Sequence, residues 1–118
     1  SYCQLYENVE IVKTPGHTYD DISVIVATMM DGKLTRVAIT GDLFEREEDI
    51  HDAKIWEEVG DKSLRNMQAR SRFMMIRLVD YIIPGHGKMF KITEQHKRLV
   101  EAQVNGPGPS STTEPPAK

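Results

Sequence analysis

A single cysteine, Cys3, stands in the 118 residues, so no disulfide framework can form within the chain and no cysteine-based zinc module can be built. No run approaches the roughly 18 apolar positions of a membrane span. The most apolar stretch, Ile22 to Met30, is strand-length and broken by Ser23 and Thr28. No secretory apolar segment opens the chain. An excess of positive charge is also missing: 15 Lys and Arg against 18 Asp and Glu leave a net charge of −3. That balance excludes nucleic-acid binding through bulk positive charge, though not through a local basic groove. The lone cysteine fits an intracellular protein of the cytoplasm or nucleus. Cys3 itself is read as an incidental thiol. The chain opens Ser1-Tyr2-Cys3 rather than with Met, so the expectation is an excerpt of a longer protein.

What is present divides into two parts. From Asn105 to Lys118, 10 of 14 residues are Pro, Gly, Ser or Thr. Such a stretch cannot bury enough apolar surface to offset its ordering entropy and is expected to be a disordered tail over 105–118. Residues 1–104 then form one small domain, in a size range where chains bury only about 60–70% of their unfolded surface.

Within that domain, Val9 to Val12 is a short strand candidate, stopped by Thr14-Pro15-Gly16. Ile22 to Met29 is the clearest strand, β-branched and near-continuous in apolar character, as for a sheet covered on both faces. Asp31-Gly32 is a hairpin turn signal, with Val37 to Thr40 as the returning strand. Glu45 to Asp52 is acidic and turn-rich, and a short helical segment follows over Ile55 to Val59. Lys62 to Val79 predicts a helix. Leu64, Met67, Ser71, Met74, Met75 and Leu78 fall on one stripe, read as core, while Arg65, Arg70, Arg72 and Arg77 form a solvated face. Tyr81-Ile82-Ile83 is a last buried strand, and Thr93 to Val104 a final amphipathic helix. Strands, then helix, then strand describe a mixed α/β layered domain rather than a bundle. Phe44 and Trp56 are expected to cover the edge of its core.

Two tripeptides carry the chemistry. Before residue 105 the chain has only two prolines, Pro15 and Pro84, and each is followed by Gly-His. Average composition predicts one such tripeptide on the order of once per hundred chains of this length. Both sit where an apolar strand ends. Proline fixes φ and stops the ladder, glycine permits close backbone approach, and the imidazole is presented at a rigid sheet edge. Asp42 follows Thr40-Gly41 at the end of a third strand. Two imidazoles and a carboxylate suit Zn, Fe or Mn, whereas Mg and Ca want more oxygen donors. A carboxylate can also bridge a pair of ions. Taken singly, each of these residues is most simply a turn or packing residue; jointly they point to metal ligation by His17, Asp42 and His86.

Thr14-Pro15-Gly16-His17-Thr18, Gly41-Asp42-Leu43-Phe44 and Pro84-Gly85-His86-Gly87 resemble, in order, the third, fourth and fifth metal motifs of the metallo-β-lactamase superfamily. The resemblance spans about Val9 to Phe90. It implies the C-terminal half of an αββα sandwich (α/β, α+β) with two divalent metal ions, zinc foremost, at one edge of the sheets. His17 would bind the first metal, Asp42 would bridge both, and His86 would bind the second. The nucleophile implied is a metal-bound hydroxide attacking an ester-type bond, so no side chain is itself the catalytic nucleophile. The strings Gly41-Asp42-Leu43-Phe44-Glu45-Arg46 and Asp21-Ile22-Ser23-Val24-Ile25-Val26 are similar to one branch of the family in particular. That branch implies a zinc endoribonuclease acting on histone pre-mRNA, and a homodimer.

One departure matters as much as the match. The family's His-x-His-x-Asp-His, which should lie upstream of the first Pro-Gly-His, is nowhere in the chain. Three ligands shared between two ions give fewer protein donors per ion than a typical catalytic zinc site, so the 118 residues alone are expected to be inactive and unstable. The remaining histidines, His51 and His96, are read as surface residues without a histidine partner. Asp20-Asp21, where many relatives carry small residues, would either disfavour anionic substrates or occupy a turn. Lys88 is a solvated lysine or a contact for a substrate phosphate. A thioester hydrolase of the glyoxalase II kind and a non-catalytic truncated half-domain are the alternative readings.

Overall fold

The protein is described by a computed structural model over residues 2–104, with side chains from residue 7 onward. The tail expected over 105–118 and the Cys3 side chain lie outside the described residues. Six strands form one sheet in sequence order: β1 (Tyr2–Tyr6), β2 (Val9–Lys13), β3 (Ile22–Met30), β4 (Lys33–Gly41), β5 (Tyr81–Pro84) and β6 (Phe90–Lys91). Two short helices, α1 (Glu48–His51) and α2 (Lys54–Glu57), follow β4. A 3₁₀ turn over Lys62–Leu64 leads into α3 (Arg65–Leu78), and α4 (Glu94–Val104) follows β6.

The Asp31-Gly32 turn folds β3 back on β4, with Ile25 opposite Ala38 and Val24 opposite Ile39. The connection from β4 to β5 runs through the helices, so those two strands are parallel, Ile39 beside Ile83. Every other neighbouring pair is antiparallel. β2, β4 and β5 therefore point the same way, and their C-terminal ends lie at one end of the sheet. Strands β1 and β6 had no signal in the sequence: β6 is two residues long, and β1 is recognisable only through its pairing with β2.

Alternation gives the sheet two distinct faces. Ile25, Ala38 and Ile82 face the helices and pack with Met75, Ile76 and Val100 in the core, with Val12 against them. The opposite face carries Ile22 and Ile39, which remain 49% and 44% exposed. On that same face Val37 is only 7% exposed, so the expected cover on both faces is complete on the helix side and partial on this one. Phe44 and Trp56 are both fully buried; Phe44 belongs to the core cluster, while Trp56 lies beside the guanidiniums of Arg65 and Arg72, at 5.1 and 4.7 Å.

Helix α3 corrects the sequence reading most sharply. Its buried positions are Gln68, Ala69, Ser71, Arg72, Met75 and Ile76. Met74 and Leu78 are exposed and line a groove with Val12 and Ile25. Arg72, read as solvated, is entirely buried. Its guanidinium forms a two-pronged ion pair with Asp49 (Nη2–Oδ1 2.8 Å, Nη1–Oδ2 3.1 Å) and donates to the Leu43 carbonyl at 2.8 Å. It also lies over the rings of Phe44 and Trp56, at 4.2 and 4.7 Å. Burial pulls the Arg72 pKa down and the Asp49 carboxylate opposes that pull. A hydropathy stripe cannot register a charge satisfied from another element, so it places the helix face off by about one position.

His96 likewise moves inside: it is 4% exposed, its Nδ1 accepts from the Thr93 amide at 3.0 Å, and its Nε2 faces Glu47 at 3.1 Å. His51 is exposed as expected, but its ring meets that of His96 edge-on at 6.0 Å, so the two are not isolated. Asp21 occupies a turn, accepting from the amide and hydroxyl of Thr18 at 2.8 and 2.6 Å. Among the described residues, no helix is long and apolar enough to cross a membrane.

Candidate metal centre

The shared direction of β2, β4 and β5 brings three loops to one end of the sheet. The first leaves β2 through Thr14, whose buried hydroxyl pairs with that of Ser23 at 2.9 Å. Ser71 of α3 donates to the Pro15 carbonyl at 2.8 Å, and Gly16 lies directly on Gln68. A Cβ at Gly16 would collide with the Gln68 backbone and side chain. His17 is thereby held against α3, its side chain 21% exposed.

The second and third loops are zipped together. Gly85 N donates to the Phe44 carbonyl at 2.9 Å and His86 N to the Glu45 carbonyl at 2.8 Å. A Cβ at Gly85 would strike Oδ1 of Asp42, so only glycine lets the two loops come this close. The buried Arg72–Asp49 pair braces the second loop from beneath: Asp49 Oδ2 accepts from Glu45 N at 2.7 Å while Arg72 holds the Leu43 carbonyl.

All three residues singled out in the sequence converge. Asp42 Oδ2 lies 3.5 Å from His17 Nε2, and Asp42 Oδ1 lies 3.0 Å from His86 Nε2. Each carboxylate oxygen thus faces one imidazole. A fourth group, Glu45, was overlooked as the start of an acidic stretch. Its Oε2 lies 3.7 Å from His17 Nδ1 and its Oε1 3.6 Å from His86 Nε2. The only available signal was Asp42-x-x-Glu45 in a turn directly after a strand, with Leu43 and Phe44 anchoring it in the core. Burial raises the Glu45 pKa, and the nearby Asp42 charge raises it further; His17 and His86 pull it back, and Asp49 adds a small upward push.

The residues fit a divalent ion. Donors around one tetrahedral ion stand about 3.3–3.6 Å apart, and the two pairs that would share an ion, His17 Nε2 with Asp42 Oδ2 at 3.5 Å and His86 Nε2 with Asp42 Oδ1 at 3.0 Å, come close to that spacing. Ligand atoms of His17, Asp42 and Glu45 all lie within 4.8 Å of one another. His17 Nδ1 and Glu45 Oε2, which face each other at 3.7 Å, are both buried without a hydrogen-bond partner. Lys88 is exposed and His86 is 64% exposed on the rim. Neither His51 nor His96 reaches the centre.

No protein-family model matches the chain. It is 38% identical over 98 residues to metallo-beta-lactamase domain-containing protein 1 of Xenopus laevis, covering 83% of this chain and 38% of that protein. It is 31% identical over 93 residues to the protein of that name from Homo sapiens, covering 78% of this chain and 32% of that one. An uncharacterized protein of Caenorhabditis elegans is 39% identical over 95 residues, covering 80% of this chain and 25% of its own length. The chain therefore spans between a quarter and about two fifths of the curated relatives it matches. Among solved structures, the DIM-1 metallo-beta-lactamase superposes with a TM-score of 0.53 at 18% identity, covering 86% of this chain and 46% of that one. TMB-1 follows at 0.51 and 17%, covering 88% and 46%.

Proposed function

The chain belongs to the metallo-β-lactamase superfamily, and from that membership we propose that it supplies one side of a divalent-metal centre in a hydrolase. His17, Asp42 and His86 are the metal-holding residues of this reading, with zinc as the ion their donor atoms suit best. One observation carries it: the two oxygens of Asp42 face two different imidazoles, at 3.5 and 3.0 Å, the arrangement a carboxylate needs to bridge two sites. When bound, the ions supply Lewis acidity and a water acidic enough to attack at neutral pH.

The chain's own residues perform the remaining tasks. Asp42, with one oxygen toward each imidazole, would be the ligand the ions share. The zipped loops hold His86 in register with Asp42 before any ligand arrives, so little reorganisation is needed during reaction. The proposed bond is a phosphodiester of RNA, cleaved internally. This finer choice is supported by the likeness of Gly41–Arg46 and Asp21–Val26 to the branch noted above, and by Lys88, exposed two residues beyond His86, where it could meet a phosphate.

The test uses the full-length protein, with metal content measured by mass spectrometry and cleavage followed on a single-stranded RNA and on a thioester. His17→Ala and Asp42→Asn are expected to lower bound metal and to reduce RNA cleavage by a factor of a hundred or more, on the order of what loss of such transition-state stabilisation costs. Unchanged metal content in both variants would remove the centre; thioester turnover without RNA cleavage would remove the RNA assignment.

A further inference from the structure

We propose that Glu45 is the positioning carboxylate of this centre: its Oε2 accepts from Nδ1–H of His17 and so turns the Nε2 lone pair of His17 toward Asp42. The inference rests on the metal-centre reading only for its consequence; its geometry stands alone. A neutral imidazole carries one N–H and one lone pair. The ring of His17 lies between two carboxylates, with Glu45 on its Nδ1 side at 3.7 Å and Asp42 on its Nε2 side at 3.5 Å. The tautomer is decided by which carboxylate has another way of being satisfied.

Asp42 has such ways. Its side chain is 38% exposed to water and its other oxygen faces His86 at 3.0 Å. Glu45 has fewer: its side chain is 10% exposed, its Oε1 stands farther from His86 at 3.6 Å, and Oε2 is buried with no partner. His17 Nδ1 is the other orphan of the pair. A proton on Nδ1 satisfies both orphans through one contact shortened by less than an ångström. A proton on Nε2 would instead set the Nδ1 lone pair against a buried carboxylate oxygen. The backbone that carries this carboxylate is pinned on both sides. Its amide donates to Asp49 and its carbonyl accepts from His86 N, and Asp49 is gripped by the buried Arg72. A carboxylate on the far nitrogen of a metal-binding histidine fixes ring orientation and raises its basicity as a ligand.

The experiment compares wild type, Glu45→Gln and Glu45→Ala in the full-length protein, stripped of metal by chelation and held above pH 8. Nitrogen-15 chemical shifts of His17 report the tautomer, and a zinc titration against a competing chelator reports affinity. Expected are the Nδ1–H tautomer in wild type and in Glu45→Gln, whose amide oxygen still accepts, and a shift toward Nε2–H in Glu45→Ala. Zinc affinity should fall roughly 10- to 100-fold in Glu45→Ala and be largely restored in Glu45→Gln. A wild-type His17 protonated at Nε2, or a tautomer indifferent to Glu45→Ala, overturns the proposal. So does Glu45→Gln binding zinc as weakly as Glu45→Ala while keeping Nδ1–H, the pattern of a direct ligand. The expected tautomers with no zinc bound by wild type would support the positioning role and overturn the metal centre instead.

Discussion

Gly85 illustrates how narrowly the centre is built. Its Cα approaches Asp42 so closely that one added methyl would meet Oδ1 and press on the Gly41 carbonyl carbon and oxygen at 3.0 and 3.1 Å. Gly85→Ala should therefore displace the carboxylate without altering any donor, and metal affinity should fall on the order of tenfold to a hundredfold, as when a ligand loses its support. Chelator competition on the folded variant measures this, and an affinity equal to wild type would show that the loops have room to spare. At this scale the sequence was informative where residue type and punctuation coincide. Pro-Gly-His twice, each at a strand end, singled out His17 and His86, and Gly-Asp singled out Asp42, three side chains that the structure brings together. Glu45 was missed because nothing local separates it from the glutamates at 47 and 48, both exposed. Its meaning comes from His17, 28 positions earlier, and from His86, 41 positions later.

Helix α3 and the turn before it carry the next tests. Arg72 and Asp49 are both at zero exposure and bind each other by two contacts. Removing one leaves the other charged and stranded, so Arg72→Ala should cost about 3–5 kcal/mol in unfolding experiments. Arg72→Met with Asp49→Leu, which removes both charges, should recover much of that loss. A loss below about 1 kcal/mol for Arg72→Ala would mean that the pair is not desolvated in solution. At the entrance to the 3₁₀ turn, Asp61 Oδ1 accepts from the hydroxyl and amide of Ser63 at 2.6 and 2.9 Å. The hydroxyl contact first, then the amide, lowers the Asp61 pKa below 3.8. A depressed carboxylate stabilises the fold above its unfolded pKa, and that contribution disappears as pH falls through the folded value. The difference in melting temperature between wild type and Asp61→Ala should accordingly be present at pH 7 and shrink at the acid end. A difference constant with pH would contradict it. The sequence placed the end of α3 within one residue and its start three residues early, at the 3₁₀ turn, but turned the helix, because Gln68, Ser71 and Arg72 are polar residues that are nonetheless buried.

For the whole molecule, the open face of the sheet is the dominant feature. Ile22 and Ile39 stand nearly half exposed on it, while the solved metallo-beta-lactamases that share the fold are about twice as long as the matched region. In an αββα sandwich that face lies against a second sheet, some 10 Å away. Ile39→Lys should change the stability of the 118-residue chain by no more than about 0.5 kcal/mol, as at a surface position. In a polypeptide carrying both sheets it should cost about 3 kcal/mol, since an unpaired charge is then buried. Equal effects in the two contexts would place this face outside the sandwich interior.

Local order along the chain was enough for strands β2 to β5, the hairpin at Asp31-Gly32 and the three loops that carry His17, Asp42 and His86, because turns and alternation are short-range steric facts. It was not enough to tell which polar groups are inside. Arg72, His96 and Glu45 are buried through partners such as Asp49, 23 positions away, and Glu47, 49 positions away. The energy of a buried charge depends on the group beside it in space, and those groups are brought together only when the sheet and helices pack.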